Sequence, residues 1–299
     1  MTGSTKFIRA MGIPRVGNHA VIKMICENAG PRGYIHFNLC PPLKDPLQCH
    51  SVETRDGLLR PSNPEHLEKI RGEHDLDSYD LVVFSYEDLF LDAHHALANR
   101  ISEPYEDRID CNLFITRSLP NWMASWLQQR LKKAKNNPDH AFNYDTNPFF
   151  VTEKALRVFR NWLAHMREVD AAITAGGTAM TGNARNIGAV YDSFYTDEAH
   201  RRQIVEHLGL EPTNLALPEV STHGGGSSFS GVKVTDPTQL DVADRWSHFR
   251  DNPYFVHLMA ILWTNDEVRD LCFRHFPDSS HILDTFLKTG KTGEMREAV

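Results

Sequence analysis

The stretch with the clearest chemical potential runs from Lys6 to Ala29 and reads KFIRAMGIPRVGNHAVIKMICENA. Its pattern predicts a short strand, a turn over residues 12–19 and a helix with an apolar stripe. Such a turn presents unpaired backbone N–H groups at the positive end of the helix dipole, where anions bind. Arg15 adds a permanent charge that can donate two hydrogen bonds to a phosphate or sulfate group. The turn is therefore a candidate anion site, although a βα turn that binds nothing has the same pattern.

The chemistry of that anion site is not the one that nucleoside triphosphates use. The turn lacks the Gly-Lys-Ser/Thr ending of the triphosphate P-loop, in which the lysine and the hydroxyl serve the phosphates and magnesium. The sequence therefore argues against ordinary chemistry with ATP and magnesium.

A candidate general base follows the apolar run 81–85, which predicts a strand buried on both faces of a parallel sheet. The run leads into Tyr86, Glu87 and Asp88. Ligands of open α/β sheets bind at the carboxyl ends of the strands, so Glu87 lies where a proton acceptor would be useful. In the alternative reading, Ser85 or Asp88 caps a following helix and Glu87 only occupies its first turn.

A second candidate anion site follows the predicted buried strand 112–116. Arg117 comes directly after this strand, and a helix is expected to begin near Pro120. Ser125 lies eight positions after Arg117, so both side chains can face one anion. Further along, residues 128–135 (QQRLKKAK) are strongly basic, either as a solvated helix face or as a wall for an anionic or sugar acceptor.

The remaining predicted elements alternate between strands and helices. They are a strand at 33–38, a long loop insertion at 41–75 with one helix at 64–71, a helix at 153–172 capped by Thr152, a strand at 186–192 and a helix at 197–209. Residues 223–231 are a glycine-rich loop or a flexible linker, helices are expected at 241–250 and 254–276, and the tail 289–299 is expected to be loose. This alternation predicts a single α/β domain over residues 1–299, with a central parallel sheet flanked by helices.

Composition narrows the function classes. An apolar fraction of 41% and a charged fraction of 24% are ordinary for a soluble globular protein, and a net charge of −7 argues against nucleic-acid binding. The sequence has neither a membrane-spanning apolar run nor the apolar core of a signal peptide. Five cysteines without a C-x-x-C pair favour a reducing cytoplasm, and 16 scattered histidines give no support for a metal site.

Taken in chain order, three of these features resemble motifs of the sulfotransferase superfamily, which uses 3'-phosphoadenosine 5'-phosphosulfate (PAPS) as donor. Residues 14–19 (PRVGNH) resemble the family turn P-[KR]-[SV]-G-[TN]-[TH], which holds the 5'-phosphosulfate. Arg117 and Ser125, in RSLPNWMAS, resemble the arginine and serine that bind the 3'-phosphate. Tyr191, in VYDSFYTDEAHRRQIVEHLGL, stands at the tyrosine of the third motif; residues 86–88 look similar but precede Arg117. The resemblance covers about the first 210 residues.

The resemblance implies a P-loop NTPase-like fold of the sulfotransferase type and a function in sulfuryl transfer. The sulfuryl group of PAPS would pass to a hydroxyl of a carbohydrate or other small molecule, without a metal, and adenosine 3',5'-bisphosphate would be released. The implied catalytic residues are Arg15, His19 and Glu87. The implied donor-binding residues are Arg15, Val16, Gly17, Asn18, His19, Ala20, Arg117, Ser125, Tyr191, Gly226, Ser227, Ser228 and Phe229.

The sequence departs from the family in two places. The family's late loop carries a basic residue before Gly-x-x-Gly and a tryptophan, whereas here the glycine-rich loop has no lysine and Arg245-Trp246 follows further on. Many members use a His or Glu base, and here the first histidine after Glu87 is His94. A P-loop kinase using ATP and an inactive nucleotide-binding protein therefore remain alternatives, and the acceptor and oligomeric state stay open.

Overall fold

The computed structural model describes residues 4–42, 44–66, 68, 75–89, 105–135, 148–220, 229 and 234–289. The strands within these ranges are β1 (Lys6–Gly12), β2 (Tyr34–Asn38), β3 (Ser51–Thr54), β4 (Gly57–Leu59), β5 (Leu81–Glu87), β6 (Cys111–Thr116), β7 (Met180–Thr181) and β8 (Ala184–Val190). The helices are α1 (Asn18–Glu27), α2 (Leu119–Lys135), α3 (Pro148–Thr174), α4 (Tyr191–Thr196), α5 (Glu198–His207), α6 (Pro253–Trp263), α7 (Asp266–His275) and α8 (Pro277–Thr289).

The described strands form one sheet in the order β4-β3-β2-β5-β1-β6-β8-β7. The five central strands are parallel, and antiparallel strands lie at both edges. The apolar runs of β1, β5 and β6 supply the centre, where Ile8, Val82 and Leu113 have no exposed surface. The predicted α/β class with a mostly parallel central sheet flanked by helices is confirmed. The finer assignment to a P-loop or sulfotransferase type stays a prediction.

The strand order places the turn after β1 at a switch point of the sheet. Strands β2 and β5 lie on one side of β1, and β6 lies on the other side. The chain therefore crosses past β1 between β5 and β6. Gly12 at the end of β1 pairs with Glu87 of β5 and with Ile115 of β6, so these strand ends are level. In open α/β sheets, ligands bind in the crevice that such a reversal leaves at the carboxyl ends of the strands.

The chain divides into two compact units, one of Met1–Thr116 with Arg167–Pro218 and the other of Arg117–Met166 with Glu219–Val299. The first unit contains the sheet, α1, α4 and α5. The second contains α2 and α6–α8, and tryptophans anchor its core: Trp122 and Trp162 stack at 6.4 Å, and Trp246 lies 5.5 Å from Phe286. The predicted single domain stays a prediction. Within the described ranges, no helix is both long and apolar enough to cross a membrane.

The predicted loop at 41–75 is partly sheet. Strand β3 pairs antiparallel with β2, His36 lies opposite Glu53, and β4 follows after a tight turn at Gly57 with φ 136°. The Asp56-Gly57 dipeptide is a hairpin signal, but strands of four and three residues are too short for a clear alternation of apolar side chains. The predicted helix at 64–71 lies largely outside the described residues.

Several predicted boundaries were wrong for identifiable reasons. Helix α3 begins at Pro148, so Thr152 lies inside the helix and is not its cap. Strand β8 ends at Val190, and Tyr191 opens α4. The predicted helix 241–250 is only a 3₁₀ segment at Arg245–Phe249. The predicted helix 254–276 is two helices, because the Asn265 side chain accepts a hydrogen bond from Val268 N–H and starts α7.

Candidate functional site

The turn after β1 leaves the start of α1 open to an anion. Arg15 and Gly17 both have positive φ, 76° and 105°, which bends the backbone away from the strand before Asn18 begins the helix. No described side chain caps this helix start, and the first turn carries no acidic residue. The N–H groups of Gly17 and Asn18 donate to no acceptor among the described residues. An uncapped helix start of this kind is a geometry that can accept an anion, and the anion site itself stays a prediction.

Two predicted donor-binding positions of this turn contribute less than expected in this conformation. The Ala20 N–H donates to the Gly17 carbonyl at 3.1 Å, so it closes the first helical turn. The Val16 side chain is completely buried, so only its backbone is left to face a ligand. Arg15, Gly17, Asn18 and His19 are the other predicted donor-binding residues of the turn.

Tyr191 packs directly against the turn. A Cβ atom placed on Gly17 would lie 2.2 Å from Cδ2 of the Tyr191 ring, far inside van der Waals contact. Tyr191 is buried, and its ring stacks on Phe194 with centroids 5.8 Å apart. The structure thus brings together the first and third motifs, which lie more than 170 positions apart in the sequence. Only a glycine at position 17 allows this contact.

Glu87 ends β5 beside the same turn. The Asn18 side-chain amide donates to Glu87 Oε1 at 3.5 Å and to the Ile13 carbonyl at 3.3 Å, which links the carboxylate to the turn. Burial raises the pKa of Glu87 above its ordinary value; the Asn18 hydrogen bond and the Arg15 charge lower it, and the Asp88 charge adds to the rise. A carboxylate with a raised pKa beside an anion site fits a general base. Sequence reasoning placed Asn18 on the phosphosulfate and missed its contact with Glu87.

A small cavity of about 10 Å³ adjoins Glu87. The residues with polar side chains that line it are Asn18, His19, Asn38, Ser85, Tyr86 and Glu87. His19, a predicted catalytic residue in the first turn of α1, therefore lines the same cavity as Glu87. His94, the other histidine considered as a base, lies outside the described residues.

The second predicted anion site is built around the Ser125 hydroxyl. Arg117 Nη1 and Arg245 Nη1 each donate to Ser125 Oγ at 3.2 Å, and Ser125 donates its own proton to the Asn121 carbonyl at 2.9 Å. All three side chains are at least 92% buried. The hydroxyl thus uses its one proton and both lone pairs, and it holds two guanidinium groups side by side. We call Arg117, Ser125 and Arg245 the arginine cluster.

Backbone contacts fix Arg245 in this cluster. Arg117 donates to the Val242 carbonyl, and Asn121 donates to the Ala243 carbonyl at 2.7 Å. The Trp246 N–H donates to Asn121 Oδ1 at 3.2 Å. The segment that carries Arg245 is therefore tied to the first turns of α2 on both sides of the arginine.

Sequence reasoning did not assign Arg245 to this site. It lies 120 positions after Ser125, and only the neighbouring Trp246 and the absence of a lysine in the glycine-rich loop drew attention to it. Phe229, which was predicted to bind the donor, lies under the Arg245 guanidinium at 5.6 Å and beside His248 at 4.9 Å. The other predicted loop residues, Gly226, Ser227 and Ser228, lie outside the described residues.

Two guanidinium groups on one hydroxyl repel each other. For unit charges about 6 Å apart at an effective dielectric of about 20, the repulsion is roughly 3 kcal/mol. Charge-assisted hydrogen bonds from guanidinium groups to an anion contribute about 1.5–3 kcal/mol each. The arginine cluster therefore suits a doubly charged group such as a phosphate monoester.

Comparison of the chain with models of protein families, with curated proteins and with solved structures finds no match. The assignment of function therefore rests on the motifs, the two anion sites and Glu87.

Replacement of Gly17 by Ala is expected to abolish anion binding at the turn. The new Cβ collides with Tyr191, and the positive φ adds about 1–2 kcal/mol of backbone strain. Gly57→Ala is the matched control, because its φ is also positive but no atom lies within 4 Å of the new Cβ. Calorimetry with pyrophosphate should show at least a tenfold loss of affinity in Gly17→Ala only. Equal affinity in wild type and Gly17→Ala contradicts the assignment.

Glu87→Gln is expected to stabilise the fold at neutral pH. Because the folded-state pKa lies above the ordinary 4.5, the wild type loses stability as pH rises from 4.5 through that pKa, and the glutamine variant does not. Urea unfolding across this range should show a gain for Glu87→Gln that disappears below pH 4.5.

Asp284→Asn provides a control of opposite sign, since the Lys288 hydrogen bond lowers the pKa of Asp284. This substitution should destabilise at neutral pH. A stability difference for Glu87→Gln that does not change with pH contradicts the raised pKa.

Proposed function

We propose that this protein is a PAPS-dependent sulfotransferase, which transfers a sulfuryl group to a hydroxyl of a carbohydrate or other small molecule and releases adenosine 3',5'-bisphosphate. The observation that carries the proposal is the convergence of the uncapped α1 start, the Tyr191 ring on Gly17 and the Glu87 carboxylate at one strand-end position. The resemblance of three motifs in their family order adds the identity of the donor.

The charge distribution of PAPS supports the proposal. The molecule carries negative groups at two ends, and the chain has two predicted anion sites, the α1 start and the arginine cluster. The resemblance assigns the 5'-phosphosulfate to the α1 turn and the 3'-phosphate to Arg117 and Ser125. Arg245 supplies the second cation at this site, in place of the lysine that the glycine-rich loop lacks.

The proposed reaction is an in-line displacement at sulfur. The acceptor oxygen forms the new S–O bond, the bond between sulfur and the phosphate oxygen breaks, and that oxygen gains negative charge. Arg15, His19 and the N–H groups of Gly17 and Asn18 stabilise the growing charge, as backbone donors do in an oxyanion hole. Glu87 takes the acceptor proton, a contribution of about 10²–10⁴ in rate for a well-placed base.

For the acceptor, the proposal names only a class of molecule and the segments that would bind it. Three segments are each proposed as a wall for the acceptor: the long loop insertion at 41–75, the basic residues 130–135 and the aromatic C-terminal helices. The odd number of cysteines supports the cytoplasm as the proposed location. A kinase using ATP and an inactive nucleotide-binding protein are the alternatives that the experiment below separates.

Arg15→Ala is expected to lower turnover by about 10²–10³-fold with the fold intact, because it removes a donor to the leaving oxygen. The assay measures transfer of radiolabelled sulfate from PAPS to a panel of sugars and small alcohols, with γ-labelled ATP and magnesium in a parallel arm. Circular dichroism verifies the fold. Near-normal turnover in Arg15→Ala, or label transfer only from ATP, contradicts the proposal, and binding without any transfer favours the inactive protein.

Arg117→Ala and Arg245→Ala are each expected to raise the KM for PAPS by about tenfold or more, since each loses a charge-assisted hydrogen bond to the 3'-phosphate. Arg250→Ala is the matched control: it lies close to Arg245 in the chain, but its side chain is 51% exposed and pairs with Asp251. An unchanged KM in Arg245→Ala removes this residue from the donor site.

A further inference from the structure

A row of polar side chains near Glu87 has no role in the proposed transfer step. His36 of β2 and Ser85 of β5 are 3% and 5% exposed, and His36 Nε2 lies 2.9 Å from Ser85 Oγ. On the other side of the ring, His36 Nδ1 lies 3.8 Å from Oε2 of Glu53, its antiparallel partner on β3. The Glu53 side chain is 32% exposed. These three groups lead from the interior of the sheet to the surface.

The cavity beside Glu87 connects this row of side chains to Glu87, the proposed base. Ser85 and Glu87 are two positions apart on β5, so their side chains lie on the same face, and both line the cavity. A volume of about 10 Å³ is close to what one water molecule needs. Asn18 Oδ1, which belongs to another lining residue, is buried without a hydrogen-bond partner among the described residues. The cavity therefore offers one water at least three polar partners.

We propose that a water molecule in this cavity joins Glu87 to Ser85, and that Ser85, His36 and Glu53 form a relay that returns the proton of Glu87 to solvent. This inference rests on the proposed function, in which Glu87 takes one proton from the acceptor in each turnover. Burial raises the pKa of Glu87, and the carboxyl group must lose that proton before it can act as a base again. The relay restores the base without passing through the bound nucleotide or acceptor.

The relay conserves atoms and charge. Glu87 gives its proton to the water, which passes one of its own protons to Ser85 Oγ. Ser85 passes its hydroxyl proton to His36 Nε2. The partly exposed Glu53 side chain then closes its 3.8 Å separation from His36 Nδ1 to hydrogen-bond distance and accepts the Nδ1 proton. Glu53 then loses this proton to solvent. The water, Ser85 and His36 each receive one proton and lose one, so one proton moves from Glu87 to solvent. His36 is left as its Nε2–H tautomer, and it must return to the Nδ1–H tautomer before the next turnover.

Ser85, His36 and Glu53 also have the order of a nucleophilic triad, but their burial favours a relay. Ser85 Oγ contacts protein groups on several sides, including the Phe37 carbonyl at 3.3 Å and the Leu39 N–H at 3.4 Å. The adjoining cavity of about 10 Å³ has space for about one water, which is too small for the carbonyl group that a serine nucleophile attacks.

The test compares Ser85→Ala, His36→Gln and Glu53→Gln with wild type in the sulfuryl-transfer assay. Each is expected to lower kcat by about tenfold with an unchanged KM for PAPS. This decrease is smaller than the roughly 10²–10⁴-fold decrease expected for loss of the base, because Glu87 remains. The solvent deuterium isotope effect on kcat should rise, and a high concentration of imidazole buffer should restore the rate. A purely structural defect is not rescued by buffer.

Ser51→Ala is the matched control. Ser51 is a buried serine that accepts a hydrogen bond from Asn38 at 3.2 Å, but it lies outside the relay. Wild-type kcat and isotope effect in Ser85→Ala and Glu53→Gln overturn the relay, and so does an equal loss in Ser51→Ala. Glu53 is partly exposed, so Glu53→Gln remains informative if a core variant does not fold.

A second measurement needs no transfer reaction. Below pH 4.5, where Glu87 is protonated, the infrared C=O stretch of its carboxyl group, identified by its loss in Glu87→Gln, reports the hydrogen bonds of that group. Ser85→Ala should shift this band because the water loses a partner, and Ser51→Ala should not. An unshifted band overturns the link from Glu87 to Ser85 even if the protein proves not to transfer sulfate, so the two failures are distinguishable.

Discussion

The backbone N–H groups at the start of α1 impose the constraint on which the rest of the site depends. They lie at the carboxyl end of the central strand β1, where the strand order reverses, and no described side chain caps them. Unsatisfied donors at a helix start favour an anion. The neighbouring features follow: a glycine with positive φ under Tyr191, an arginine in the turn and no acid in the first helical turn.

The same turn governs the base. Asn18 is both the first residue of α1 and the hydrogen-bond donor to Glu87, so the position of the carboxylate depends on how the helix starts. The carboxylate is kept close to Arg15 yet half-buried, and burial outweighs the charge in setting its pKa. At neutral pH this arrangement costs stability, as is common for groups placed for chemistry. The arginine cluster of the second unit shows a similar cost, with two buried guanidinium groups held on one hydroxyl.

Local patterns predicted the parts of the fold and site that short segments determine. The apolar runs gave the central strands, the turn and Arg15 were recognisable from residues 12–19 alone, and the Arg117–Ser125 pair follows from spacing on a strand end and a helix. The contacts that join distant segments were not predictable in this way. Arg245 reaches Ser125 across 120 positions, and His36 meets Ser85 only because β2 and β5 are neighbours. Strand order and register are properties of the whole sheet, and no single window of sequence contains them.

The central claim is that this chain binds a nucleotide with phosphate groups on both its 3' and 5' oxygens. Titration calorimetry of the wild-type protein with adenosine 3',5'-bisphosphate, and separately with ATP and magnesium, tests it most directly. We expect the bisphosphate to bind at least a hundredfold more tightly, since two or more charge-assisted contacts of about 1.5 kcal/mol distinguish it. Equal or tighter binding of ATP with magnesium, or no binding of the bisphosphate, would contradict the account.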